Sequence, residues 1–560
     1  MNKSFYNIAY LILPQMLIYS MFANAQQSIK KDTINNEEII VIKAYNPIIK
    51  TSKAISLPIS LPSLPLEPRK KMEFETDAKP IEVHHEKLSL KALTYTTPRD
   101  KKTKPAENEY NGFIQVGFGN YTSPLLRAAY ITSINNIELG ANVAHLSSKN
   151  NDKIFASKFS KTNFETFAKI MNEKNGFYIR PEIKFSLHTN MFYGHSLKLD
   201  SVEFPLTNDS LKQRFTSVHF NTEIKNFKIN KNEIDYSIKP FIQFYTDKFK
   251  TKESIIQLYA EARKKISTHF IKADITIGNQ STKDEQNKRN NFLLRTTPAF
   301  EFNKQGWQLD LGLNLTLDEK EFLIYPFLGT SKSLFGNKLV FYNGWKILKQ
   351  QNSYQNFTSE NPFIHPLIIT DNGLHNTRFE DRYMGIRGFF NKFDYNVCFA
   401  QKLIKKLPLY VNDTLYGNTF NVIYDDATIM HLHAQFQYET AEYFTIYTKF
   451  DFDGYKMEHE AKAWHRPTLR FNIGGNFKPI QPLILNTEIY AQNQIFAKDK
   501  NGNASKISGN IDVNIGAQYA FLSNISAYIH LNNLLSKKYY LYQNYPVLGI
   551  NATAGIIWKF

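Results

Sequence analysis

The stretch that decides the fold is INATAGIIWKF, residues 550–560. Ile550, Ala552, Ala554, Ile556, Trp558 and Phe560 are apolar. Asn551, Thr553, Gly555 and Lys559 between them are small or polar, and Ile557 is the exception. A period of two marks a strand whose faces meet different surroundings. Two architectures accommodate it. One is a short terminal strand of a soluble sandwich, where an exposed aromatic edge would invite aggregation. The other is a membrane barrel, with the apolar face in lipid, the opposite face on a polar lumen and the aromatic end at the membrane–water interface.

The same period recurs along the chain from Gly112. Ile114, Val116 and Phe118 alternate with Gln115, Gly117 and Gly119, and Ile137, Leu139, Ala141 and Val143 with Glu138, Gly140 and Asn142. Leu309, Leu311, Leu313 and Leu315 alternate with Gln308, Asp310, Gly312, Asn314 and Thr316. In 511–519 the small or polar set is Asp512, Asn514, Gly516 and Gln518. Glycines and carboxamides opposite an apolar face suit a wet lumen better than a dry sandwich core. Connections alternate in length. Those at 135–136, 303–306, 439–442 and 478–481 are brief; those at 194–211, 350–377, 406–418 and 498–506 are long and largely polar. Short periplasmic turns and long outer loops give this rhythm. At roughly 20 residues per strand and connection, the expectation is an all-β, antiparallel transmembrane barrel of about 22 strands over 110–560.

The first residues read as a secretory signal peptide, 1–25: Lys3, an apolar stretch over 8–22, and an Ala23-Asn24-Ala25 cleavage site. Pro14, Gln15 and Ser20 interrupt that stretch, which falls short of the roughly 20 clean residues of a spanning helix. Residues 26–109 differ from all that follows, with Pro47, Pro58, Pro62, Pro65, Pro68, Pro80, Pro98 and Pro105 among mixed charges. Proline fixes φ and removes a donor, so the expectation is an extended, irregular periplasmic segment. His84, His85 and Glu86 within it fit either a metal clip or ordinary solvated side chains.

Mean hydropathy is −0.40, which does not exclude a barrel, because only alternate wall positions need be apolar. The aromatic share of 14%, with 32 Tyr and 44 Phe, suits interfacial girdles. The single cysteine, Cys398, excludes an intrachain disulfide framework. The formal charge of +17 is scattered with no basic block, which argues against nucleic acid as a partner. Attraction to anionic outer-membrane lipid and plain solvation both remain readings of it.

The run Asn532-Asn533-Leu534-Leu535-Ser536-Lys537-Lys538-Tyr539-Tyr540, followed by Tyr545-Pro546, Gly549 and the closing strand, resembles the final hairpin of a TonB-dependent receptor. The ending also resembles the sorting signal of bacterial outer-membrane proteins. That implies recognition of Trp558 and Phe560 by the barrel-assembly machinery and residence in the cell outer membrane. Ile39, Ile40, Val41 and Ile42, before Tyr45-Asn46-Pro47, resemble the energy-coupling segment or the start of the family's plug domain; a short apolar strand is the other reading. Family members carry a folded plug before the barrel, whereas here the segment is short and broken by prolines. A plugless barrel of this size would leak, so the arm, the loops or a partner protein must fill it.

No G-x-S-x-G, P-loop, C-x-x-C or H-E-x-x-H motif occurs, and no enzyme is expected. His431 and His433, with Gln435 and Gln437, share one face of a strand over 428–438. Lys449, Asp451 and Asp453 point inward on the next. They form either a lumen site for a metal or polar ligand or an ordinary polar lining. No cofactor is implied. The function expected is solute transport across the outer membrane. The alternative is an accessory subunit whose periplasmic arm recruits partner proteins.

Overall fold

The structure, a computed structural model, describes residues 110–149, 157–194, 211–228, 233–318, 321–335, 338–366, 374–413, 417–440, 443–499 and 501–560. The stretch read as a signal peptide, the proline-rich segment, the run Ile39 to Ile42 and the pair His84–His85 lie outside them. Twenty-two strands form one sheet in which each pairs antiparallel with the next along the chain. Gly112–Gly119 then pairs with Asn551–Lys559, and the sheet closes into a barrel. Closure excludes the sandwich. Among the described residues no helix is long and apolar enough to cross a membrane, and the crossing is made by strands.

The two faces follow the sequence alternation. Val116, Phe118, Leu311, Leu313, Ile515 and Ile556 stand exposed on the outside, while Gln115, Asp310, Asn314 and Thr316 are buried within. Ile557, the exception to the terminal pattern, is buried on the inner face. Charges on that face pair across strands: Lys272 lies 3.0 Å from Glu301 and 2.7 Å from Asp310, and Arg263 lies 2.7 Å from Glu301. Several inner glycines are small for a packing reason. A Cβ on Gly117 would strike the Tyr528 ring, one on Gly140 the Phe167 ring and one on Gly344 the Tyr383 ring. Each aromatic lies over a bare stretch of neighbouring backbone, a pairing that pins register.

Gly112 and Phe560 mark one end of the barrel, where Gly112 N donates to Phe560 O at 2.9 Å and Phe560 N to Gly112 O at 3.0 Å. The short turns, such as Asn135-Asn136 and Gln305-Gly306, lie at this end, and the long connections lie at the other. Two boundaries differ from the sequence expectation. Phe393–Asn412 continues through the stretch read as a loop from Lys406, with a register shift between Ile404 and Leu407. Its partner runs Phe420–Thr440, well beyond 428–438. A spanning strand needs about 9–11 residues, so strands of 20 and 21 residues stand clear of the bilayer. The physical reason is the apolar run Leu407-Pro408-Leu409-Tyr410-Val411. Leu407 and Leu409 are fully buried, packed with Trp464 and Ile429. The connection read as a loop over 498–506 likewise carries a small hairpin, Ile495–Lys498 with Ala504–Ile507.

Candidate functional site

Described parts of several long connections pack together at this mouth. Met191, Phe192, Phe215, Tyr245, Tyr354, Phe363, Phe420 and Tyr545 belong to one apolar core. These residues come from the fifth to seventh strands, the 351–376 loop, the sixteenth strand and the last loop. The sixth and sixteenth strands of a ring of 22 are almost opposite each other, so the core spans the lumen at this end. Phe363 stacks on Tyr545 with ring centroids 3.8 Å apart and planes 6° apart, and Phe420 N donates to Phe363 O at 2.9 Å. Each such ring, fully buried, contributes about 1.5–3 kcal/mol.

At the centre is the helix Tyr354–Glu360, the one helix among the described residues. Ser353 caps it by accepting from Asn356 N at 3.0 Å. The carboxylate of Glu253, reaching from the barrel wall, accepts from Tyr354 N at 2.7 Å and Gln355 N at 3.3 Å. It also accepts from Gln280 Nε2 at 2.9 Å and Thr282 Oγ1 at 3.1 Å. A negative charge on free amides at a helix start is favourable in both hydrogen bonding and dipole. The Tyr354 hydroxyl donates to Asp247 Oδ2 at 2.8 Å, and Tyr245 Oη lies 2.6 Å from Thr358 Oγ1. The helix is thus tied to the wall at its start and along one face.

The loop over 458–468 ties down the far side. Arg466 donates to Pro408 O at 2.8 Å and lies 3.5 Å from Glu360 Oε1. His465 Nδ1 lies 2.9 Å from Tyr410 O, and Gln543 N donates to His465 Nε2 at 3.3 Å. Burial pushes the His465 imidazole down to about 4 and that of His365 down as well, because neither can hydrate a positive charge.

Below this cap the four residues singled out in the sequence do meet. His431 faces Asp453, and His433 faces Asp451, as direct cross-strand partners. His431 Nδ1 lies 2.7 Å from Asp453 Oδ1, and His433 Nδ1 lies 2.7 Å from Asp451 Oδ1. Arg470 Nη2 donates to Asp453 Oδ2 at 3.1 Å. The two imidazoles are near-parallel, 9° apart with centroids at 6.3 Å. Among the described residues no serine hydroxyl is hydrogen-bonded to either pair.

No family model and no curated protein matches the sequence. Solved structures do match. The FrpB iron transporter of Neisseria meningitidis is 11% identical with a TM-score of 0.64, over 81% of this chain and 82% of that one. The ferric-catecholate import receptor Fiu of E. coli K12, in a closed form, is 9% identical with a TM-score of 0.61, over 82% and 83%. The ferripyoverdine receptor of the outer membrane of Pseudomonas aeruginosa is 11% identical with a TM-score of 0.59, over 82% and 72%. The likeness is to the barrel fold of these proteins. Identity this low carries the fold alone.

The barrel is closed and apolar on its outside, a surface that suits a lipid bilayer. Trp558 and Phe560 stand half exposed on its outer face with ring centroids 4.9 Å apart, at the rim holding the short turns. Cys398 sits in mid-strand opposite His433. The residues that sequence reading missed are those of the cap. Their signal was present in the aromatics of 354–363 and 539–545, but the first stretch read as part of a long polar loop and the second as part of the final hairpin.

Proposed function

We propose that this chain is a gated outer-membrane transport barrel, sealed at its outer end by its own loops rather than by a separate folded plug. The observation that carries the reading is the apolar core spanning the lumen around Tyr354, Phe363, Phe420 and Tyr545. A wall of 22 strands encloses a lumen wide enough for a solute, and such a lumen needs a stopper. The iron transporter and siderophore receptors that share the fold lend support at the level of transport as a class. On this reading 26–109 is a periplasmic arm, Ile39 to Ile42 its contact for an energy-coupling partner, and Trp558 with Phe560 the assembly signal.

Conductance of the purified protein in planar bilayers tests the seal. The full chain is expected to be closed, and removal of 351–376 with a short glycine-serine bridge to open it by an order of magnitude or more. A full chain that conducts freely sinks the reading. The second reading, an accessory subunit of an envelope complex, draws on the same sealed mouth, which leaves the periplasmic arm as the working surface. Purification in mild detergent separates the two: a stoichiometric companion that depends on 26–109 favours the subunit, and a lone monomer counts against it.

A further inference from the structure

The His–Asp pairs below the cap do more than line the lumen. We infer that His431, His433 and Asp451 bind a divalent transition cation of the zinc type. One ligand atom from each lies within 4.8 Å of the other two. An ionised carboxylate only accepts hydrogen bonds, so in each pair the proton sits on imidazole Nδ1. On His431 that leaves Nε2 as a lone pair, and at His433 the cation takes the place of the proton between Nδ1 and Asp451 Oδ1, 2.7 Å apart. A carboxylate behind an imidazole is the arrangement that fixes the tautomer and raises the basicity of a metal-binding histidine. Here Asp453 stands behind His431 in this way, on a ring parallel to that of His433.

The ligand set selects the ion. Two imidazole nitrogens and one carboxylate oxygen suit zinc and its neighbours, whereas magnesium prefers an all-oxygen shell and keeps its waters. Bonds of about 2.0–2.2 Å in tetrahedral geometry bring ligand atoms to roughly 3.3 Å from one another. The site therefore closes by up to about 1.5 Å, within reach of side-chain rotation. Asp453 is engaged by Arg470 at 3.1 Å and acts as the positioning residue behind His431 rather than as a ligand. Arg470 is then the cation set against the metal, so its charge holds the affinity down.

The site lies beneath the apolar cluster of Trp464 and Ile429, so a closed cap leaves the lumen below as the approach. This inference is independent of the transport reading, since an ion can bind a sealed or an open barrel.

Zinc titration of the chelator-stripped, untagged full chain in detergent, followed by calorimetry, tests it. His84→Gln/His85→Gln serves as the background, so that the arm contributes no zinc site. One zinc per chain is expected, with magnesium giving no heat. His431→Gln/His433→Gln should weaken binding at least 30-fold, and Arg470→Gln should tighten it several-fold. Absence of binding overturns the inference, as does binding that survives the double substitution in protein whose unheated gel mobility reports a folded barrel. Should the double variant fail to fold, Arg470→Gln decides alone: tighter binding upholds the site, and unchanged or weaker binding overturns it. A merely structural pair of His–Asp contacts would not tighten zinc on loss of Arg470.

Discussion

Gly555 and Gly117 face each other across the seam where the last strand meets the first. A Cβ on Gly555 would lie 1.9 Å from the Val116 carbonyl oxygen, which is backbone and cannot swing aside. Gly555→Ala is therefore expected to destabilise the closed barrel by about 1–3 kcal/mol, the usual range for overpacking. Urea unfolding followed by loss of compact gel mobility would measure it, and an unchanged midpoint would refute the seam argument. The alternation in 550–560 already placed a small residue at this position on the inner side. It gave no hint that the opposing residue is also glycine, because that pairing joins positions more than 400 residues apart (Gly117 and Gly555). The same holds for His431 and His433. Their shared face follows from spacing, and their partners Asp453 and Asp451 from the next strand, but the proton direction and the Arg470 contact needed the register of three strands.

At the scale of elements, the loop helix Tyr354–Glu360 is too short to be stable alone and is held by what docks it. Glu253 gathers four hydrogen bonds, two of them from the helix start. Glu253→Gln turns an amide donor toward those amides and is expected to release about 1–3 kcal/mol of docking. Hydrogen exchange over 354–360 should rise with the rest of the barrel unaffected. The 458–468 loop that ties down the cap responds to acid through His465. His465 is held at about 4 when docked and returns toward its ordinary value when the loop is released. The released form then binds more protons between about pH 6.5 and 4, so docking is at full strength above that window and weakens as pH falls through it. His365 acts in the same sense. His459 is raised by its hydrogen bond to Asp425 and runs the opposite way, but it is fully exposed and its contact is screened. With Trp307, Trp345 and Trp558 replaced by phenylalanine, Trp464 emission should shift to the red between pH 7 and 4.5, and His465→Phe should flatten the shift. A flat profile in the parent would show that the loop stays docked.

For the molecule as a whole, the question is which part stops the lumen. If the loops do, deleting 26–109 leaves cells as resistant to large antibiotics as the parent, and deleting 351–376 makes them sensitive. The reverse result would assign the stopper to the arm. The sequence by itself determined the wall: a strict period of two, with apolar residues outward and glycine, amide and charge inward, specifies a closed antiparallel sheet in lipid. That pattern is local and each strand declares it independently, so even the number of strands could be counted from turns. Only the tertiary structure decided the cap. Tyr354, Phe363, Phe420 and Tyr545 carry no period and lie far apart in the chain, and an aromatic residue reads alike whether it will face a membrane interface or a partner ring. Where such residues go is fixed by closure of the barrel, which carries loops from opposite walls over one mouth. Burial against each other there is their shelter from water.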